Sequence, residues 1–139
     1  MQKESFTYDS VFIVDDDSTI NLVHKLLLKK ISIAREIRAF TNPMEALTAL
    51  RDKLLTSDNN ILVFLDINMP EMDGFEFLDQ ASLLPQVEAS TDIVMLSSSI
   101  DPRDVERAIA HPLVRQYIEK PLRHNEIRDF VHHRSQLTA

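Results

Sequence analysis

Acidic residues, serine hydroxyls and one lysine follow short apolar runs at separate places in the chain. Asp15–Asp17, Asp66 and Ser97–Ser99 each come directly after such a run, and Lys120 follows a weaker one. Crowded carboxylates resist being ionised together, and Mg²⁺ relieves this because it binds a few carboxylates with water and phosphate oxygens. A carboxylate can also attack phosphorus to form an aspartyl phosphate, while a lysine and a hydroxyl bind the phosphoryl oxygens. These residue types predict magnesium-dependent phosphoryl transfer, provided that the fold brings them together.

The apolar runs that precede these residues are typical of buried strands. Val11–Val14, Ile61–Leu65 and Ile93–Leu96 are continuously apolar, which favours strands covered on both faces. Ile37–Phe40 and Gln116–Ile118 are weaker strand candidates.

Helical patterns separate the strand candidates. Four apolar residues share one face of a first helix: Ile20, Val23, Leu27 and Ile31. Asn42 and Pro43 provide a polar cap and a first-turn proline for a second helix, and residues 75–84, 104–110 and 126–131 supply three more. Strands and helices alternating five times predict an α/β fold, a doubly wound five-stranded parallel sheet with helices on both faces. In such sheets, sites form at the carboxyl ends of the strands.

Composition excludes several classes of function. We expect the 139 residues to form one domain, with a core of about residues 11–131. The chain has no cysteine, which excludes disulfides and thiolate metal sites, and its single glycine, Gly74, excludes the glycine-rich nucleotide loops. The net charge of −7 argues against direct nucleic acid binding. Without an apolar run of about 18 residues or a secretory signal, we expect no membrane insertion and a cytoplasmic location.

Four segments of the chain resemble, in order, the response-regulator receiver family. They are IVDDDS at 13–18, LDINMPEMDG at 65–74, VMLS at 94–97 and YIEKP at 117–121. The second segment is the most specific, and the likeness extends from about Val11 to Val131. The resemblance implies a phosphorelay switch with the CheY-like, or flavodoxin-like, arrangement of strands.

The resemblance also implies a role for each matching residue. Asp66 would accept the phosphoryl group, which Lys120 would neutralise and Ser97 would contact. Mg²⁺ would be held by four residues: Asp15, Asp16, Asp66 and the backbone carbonyl of Asn68. Tyr117 would change rotamer together with Ser97 on activation. Because three serines follow one another, the register at Ser97 is uncertain by one residue.

The partners implied are a sensor histidine kinase or a histidine phosphotransfer protein, and a downstream protein that the sequence does not identify. We expect self-phosphorylation and autodephosphorylation but no turnover of an external substrate. Since no output domain follows Val131 in this sequence, the chain is expected to act as a free-standing receiver.

Two other functions remain open at this point. Asp15-Asp16-Asp17-Ser18-Thr19 also fits the nucleophile motif of haloacid-dehalogenase-like phosphatases, with Asp15 as nucleophile and Asp17 as general acid. That hypothesis leaves residues 66–74 unexplained. The other alternative is a pseudo-receiver, a binding module that is never phosphorylated.

Several polar residues are expected to have structural roles only. Asp17 or Ser18 should cap the first helix, Asp73 should belong to a turn, and His24 should be a solvated helix position. The stretch from Ala81 to Thr91 is longer than usual for the family, so an unusual third helix or loop is expected there.

Overall fold

A computed structural model, which describes residues 6–56 and 60–138, contains a five-stranded parallel sheet. The strands are β1 (Tyr8–Val14), β2 (Ala34–Phe40), β3 (Ile61–Asp66), β4 (Thr91–Ser97) and β5 (Val114–Glu119). Their spatial order is β2-β1-β3-β4-β5. All five expected strands are present, each extending somewhat beyond the residues predicted.

In the described part of the chain, six helices connect or follow the strands. They are α1 (Ser18–Ile31), α2 (Pro43–Thr56), α3 (Gly74–Ala81), α4 (Val87–Ser90), α5 (Pro102–Ile109) and α6 (His124–Thr138). Buried residues of α1 and α6 form one core with one face of the sheet, and those of α2, α3 and α5 form a second core with the other. The doubly wound architecture expected from the sequence is therefore confirmed. None of the helices within the described ranges combines the length and apolar character needed to cross a bilayer.

Burial explains why some strands were easier to predict than others. Every residue of β3 and β4 is buried, because helices cover both faces of the central strands. The edge strands β2 and β5 contain exposed and half-buried residues, so their apolar patterns are interrupted.

Helices α1 and α2 begin at side-chain caps. The Asn42 side chain accepts the backbone N–H of Met44 (2.9 Å) just where α2 begins at Pro43. For α1 the cap is Asp17, whose carboxylate accepts the N–H groups of Thr19 and Ile20. Both predictions about helix starts are confirmed, with Asp17 rather than Ser18 as the cap.

The face of α1 that packs on the sheet differs from the apolar face seen in the sequence. Three of its residues are buried: Asn21, His24 and Leu28. Val23 is 48% exposed, while Ile20, Leu27 and Ile31 are half-buried. Leu22 and Leu26 are more than half exposed (58% and 60%). This helix therefore places two polar residues inside and leaves several apolar ones outside.

The long connection after α3 contains an additional element. α3 ends at Ala81, earlier than the expected residue 84, and the one-turn helix α4 then leads directly into β4 at Thr91. The stretch from Ala81 to Thr91 therefore contains a short helix that the sequence did not predict, and its being unusual for the family stays a prediction.

Candidate functional site

Three carboxylates meet at the carboxyl edge of the sheet. Asp15 follows β1 and Asp66 ends β3, and these strands are hydrogen-bonded neighbours whose register pairs Val14 with Leu65. Oxygens of Asp15, Asp16 and Asp66 lie within 4.8 Å of one another. Asp15 and Asp66 are buried, whereas Asp16 is exposed. The convergence predicted from the strand ends is confirmed.

Lys120 connects the two buried carboxylates. Its Nζ donates to Asp15 Oδ2 (2.9 Å) and to Asp66 Oδ1 (3.2 Å). Its backbone N–H donates to the carbonyl of Ser97 at the end of β4 (2.7 Å). The lysine is thus positioned from β4 and points between β1 and β3, where its ammonium partly offsets the crowded negative charge.

One ammonium does not neutralise this cluster. Burial and the charge of Asp15 together raise the pKa of Asp66 to about 6, although Lys120 and the backbone N–H of Asn68 act in the opposite direction. Burial alone would lower the pKa of Lys120, but its hydrogen bonds and charge interactions with Asp15 and Asp66 outweigh burial and raise it. The site therefore has an excess of negative charge that a divalent cation would relieve.

The carboxylates line an open cavity of about 460 Å³. Its other lining residues come from the first turn of α1 and from the loops around the cavity: Asp17, Ile20, Asn68, Ser98, Lys120 and Pro121. Asn68 is exposed at the rim, in the loop that leads from β3 to α3. Asp66 is therefore a buried residue that lines a cavity open to solvent.

The three serines have different environments. Ser97 is the buried last residue of β4, and Asp66 pairs with the residue before it, Leu96. The Ser97 hydroxyl donates to the carbonyl of Ser99 (2.5 Å) and accepts the Ser99 N–H (3.2 Å). Ser98 is the serine that lines the cavity. In this arrangement the Ser97 hydroxyl is engaged by its own loop.

Tyr117 lies on the edge strand β5, opposite Met95 of β4. The side chain is half-buried against the core that also contains α2, α3 and α5. Its hydroxyl is buried and has no hydrogen-bond partner among the described residues. A buried hydroxyl without a partner is energetically unfavourable.

The segment after Asp66 depends on the chain's single glycine. A Cβ added to Gly74 would lie 2.8 Å from the Asp66 carbonyl oxygen and 3.0 Å from Ile67 Cα. The Gly74 N–H donates to the Ile67 carbonyl (2.7 Å). Asp73 forms a capping box with Glu76 at the start of α3, which agrees with the structural role expected for it.

Two residues near the site were missed by sequence reasoning. The Asn21 amide donates to the carbonyls of Asp15 (2.9 Å) and Phe40 (3.2 Å), so it ties α1 to the ends of β1 and β2. The expectation that His24 is solvated is wrong, because its ring is fully buried and accepts the Leu122 N–H (3.1 Å). A search for apolar periodicity passes over polar side chains that satisfy buried backbone groups. The available signal was the spacing of Asn21 and His24, which are three residues apart and so share one face of the helix.

The geometry does not favour the phosphatase alternative. Both oxygens of Asp15 are engaged, one by the Asp17 N–H (2.9 Å) and the other by Lys120. Asp17, the general acid in that hypothesis, is occupied in capping α1.

Comparisons with known proteins agree with the fold. The family model of the response regulator receiver domain matches residues 11–132. A two-component response regulator of Arabidopsis thaliana is 32% identical over 118 residues, and one of Oryza sativa subsp. japonica is 33% identical over 125 residues. The matches cover 85% and 88% of this chain but only 21% and 16% of the plant proteins. This chain therefore corresponds to about a fifth of such relatives or less.

Solved structures show the same likeness over whole chains. A two-component response regulator from Cytophaga hutchinsonii superposes with a TM-score of 0.81 at 28% identity, covering 91% of this chain and 96% of that one. A response regulator receiver protein from Dyadobacter fermentans gives 0.78 at 30% identity, covering 88% and 94%. With its parallel sheet, its carboxylate cluster and these matches, the chain belongs to the response regulator receiver domain family of two-component systems.

Proposed function

We propose that Asp66 accepts a phosphoryl group from a phosphohistidine of a sensor histidine kinase or a histidine phosphotransfer protein. The observation that carries this proposal is the cluster of three carboxylates whose oxygens lie within 4.8 Å, bridged by Lys120 and open to solvent. A carboxylate oxygen of Asp66 forms a bond to phosphorus as the bond to the donor imidazole nitrogen breaks. That nitrogen keeps the electron pair and takes a proton from solvent.

Asp66 suits the role of nucleophile better than Asp15. Its pKa of about 6 leaves it ionised above neutral pH, as a nucleophile must be. Asp15 accepts the Asp17 N–H on one oxygen and Lys120 on the other, and Asp66 accepts Lys120 on Oδ1 and is also hydrogen-bonded by the Asn68 N–H. The Lys120 ammonium lies where it can neutralise an oxygen of the incoming phosphoryl group.

The donor set fits Mg²⁺, because three carboxylates surround a single ammonium and each carboxylate offers oxygen ligands. We infer that Asp15, Asp16, Asp66 and the backbone carbonyl of Asn68 hold the ion. When bound, Mg²⁺ neutralises the carboxylates and the oxygens of the phosphoryl group. The chain's own part is to hold these ligands at adjacent strand ends and to keep Asp66 accessible.

Ser97 and Tyr117 are the proposed switch. For Ser97 to contact a phosphoryl group on Asp66, its hydroxyl must leave the Ser99 carbonyl and N–H. The loop after β4 then moves. Tyr117 of the neighbouring strand, whose hydroxyl has no hydrogen-bond partner among the described residues, can then turn to a position where that hydroxyl gains one. Phosphorylation would thereby change the surface formed by α5, β5 and α6, where an unidentified downstream protein would bind.

We propose further that the chain acts as one receiver domain, residues 1–139, that modifies itself and turns over no external substrate. The net charge of −7 supports a protein partner over nucleic acid. The cytoplasmic location expected from the sequence stays a prediction.

The test is incubation with acetyl phosphate and Mg²⁺, followed by intact-mass measurement and peptide mapping. We expect one added phosphoryl group on Asp66, lost in Asp66→Asn and kept in the matched surface variant Asp79→Asn. Modification that persists in Asp66→Asn and maps to Asp15 would favour the phosphatase alternative. A wild-type chain that binds Mg²⁺ but takes up no phosphoryl group from acetyl phosphate or phosphoramidate would favour the pseudo-receiver.

A further inference from the structure

His24 links α1 to the segment that carries Lys120. The imidazole is fully buried on the inward face of the helix, and its Nε2 accepts the backbone N–H of Leu122 at 3.1 Å. Leu122 is itself buried and lies two residues beyond Lys120. The contact joins residues 98 positions apart in the sequence.

Residues 120–122 are held at two points, one on each side. The Lys120 N–H donates to the Ser97 carbonyl of β4 (2.7 Å), and the Leu122 N–H donates to His24 of α1. Pro121 has no N–H. His24 therefore accepts one of only two backbone donors in the segment. The Lys120 ammonium projects from this segment to Asp66 and Asp15.

Burying a polar imidazole at this position costs free energy unless a hydrogen bond compensates for the lost water contacts. The neighbouring buried residue Leu28 shows that the same helix face accepts a purely apolar side chain. A ring that accepts at Nε2 is neutral and carries its proton on Nδ1, and Nδ1 is buried without a partner among the described residues. Burial lowers the pKa of His24 despite the nearby charge of Asp15, which agrees with a neutral ring.

We propose that His24 is a positioning residue for phosphoryl transfer: by fixing the Leu122 N–H, it holds the Lys120 ammonium against Asp66. The inference rests on the proposed function and adds to it a residue outside the acidic site. His24 acts through the backbone and touches neither the phosphoryl group nor the metal ligands.

The test compares variants of the full-length chain in the rate of Asp66 phosphorylation by acetyl phosphate with Mg²⁺. His24→Leu keeps an apolar volume but leaves the Leu122 N–H without an acceptor, and we expect a rate roughly tenfold to a hundredfold lower. His24→Gln places an amide oxygen near the position of Nε2, and should restore the rate to within about threefold of wild type. Leu28→Ala is the control for stability, because it weakens the packing of the same helix in the same core while the acceptor of the Leu122 N–H stays in place.

Two further readouts separate positioning from a general loss of stability. Amide hydrogen exchange at Leu122, followed by NMR, should accelerate in His24→Leu and recover in His24→Gln. In a Lys120→Ala background, His24→Leu should change the remaining rate by less than about twofold, because its effect passes through Lys120. If His24→Leu does not fold, His24→Asn replaces it, since its amide is too short to reach Leu122.

Three results would overturn the inference while leaving the proposed function intact. The first is a wild-type rate in His24→Leu, and the second is a rate in His24→Gln as low as in His24→Leu. The third is an effect of His24→Leu that is as large without Lys120 as with it. A wild-type chain that is never modified at Asp66 would instead overturn the proposed function, and this inference with it.

Discussion

Replacing Asp66 by asparagine removes one of two neighbouring buried carboxylates and leaves a side chain of nearly the same shape. In the metal-free protein, ionised Asp66 is buried and faces Asp15, with Lys120 as the cation between them. The amide of the substituted side chain is neutral at every pH. The free energy of unfolding of Asp66→Asn should therefore exceed that of wild type wherever wild-type Asp66 is ionised.

The size of this effect follows from the pKa of Asp66, which folding raises from 3.8 to about 6. The folded protein binds the Asp66 proton more tightly than the unfolded chain does. In wild type, the stability that comes from this proton is therefore fully present below pH 3.8 and is lost as the pH rises through 6. At pH 7.5, ionisation of Asp66 should lower the free energy of unfolding of wild type by about 3 kcal/mol. Near pH 4 the same effect should be under ~1 kcal/mol. Asp66→Asn should lack this pH dependence.

Urea unfolding without Mg²⁺ at pH 4 and pH 7.5 measures the difference. Far-UV circular dichroism is the suitable probe, because the chain has no tryptophan. A difference of about 3 kcal/mol shifts the urea midpoint by on the order of 1–3 M, while Asp79→Asn, on the exposed surface of α3, should shift it little at either pH. Added Mg²⁺ should raise the stability of wild type more than that of Asp66→Asn. An equal difference at both pH values, or a less stable Asp66→Asn at pH 7.5, would refute the account of charge crowding.

Three further substitutions test other contacts of the site by urea unfolding at pH 7.5. Lys120→Met leaves two buried carboxylates without their cation and should lower the free energy of unfolding by about 3 kcal/mol; an unchanged value would mean that the two ion pairs are not formed. Gly74→Ala brings a Cβ against the Asp66 carbonyl and should lower the free energy of unfolding by about 1–3 kcal/mol and slow phosphorylation. Wild-type stability and rate would show that the loop accommodates the added Cβ without loss of stability. Tyr117→Phe removes a buried hydroxyl without a described partner and should add about 1 kcal/mol; a loss of stability would reveal a partner for that hydroxyl.

Much of the site could be predicted because residues that follow parallel strands lie together at one edge of the sheet. The central strands are covered on both faces, so their apolar runs end sharply at Asp15 and Asp66. Parallel strands bring those ends to one edge, so residues far apart in the sequence become neighbours. The sequence therefore indicated which groups converge, and the structure added the distances and the bridging position of Lys120.

The rest depended on contacts that have no apolar signature. Asn21 and His24 are buried because each satisfies backbone groups of distant segments, and a helical pattern of apolar residues gives no sign of such pairings. The Ser97 hydroxyl bonds to the backbone of Ser99, a local contact that an apolar strand pattern does not indicate. The one-turn helix before β4 has only four residues, too few for a periodic pattern to mark it.

In α1, apolar character and burial do not coincide as they usually do in a surface helix. Leu22 and Leu26 are mostly exposed, so lysine at either position removes little buried area and should alter self-association and solubility while the fold persists. Asn21, in contrast, holds the carbonyls of Asp15 and Phe40 together, so even a conservative replacement disturbs the joint between two strands. In a mutational scan of this helix, the polar interior positions should be the intolerant ones and the outer leucines the permissive ones. Consensus or surface redesign of α1 can therefore begin with its leucines.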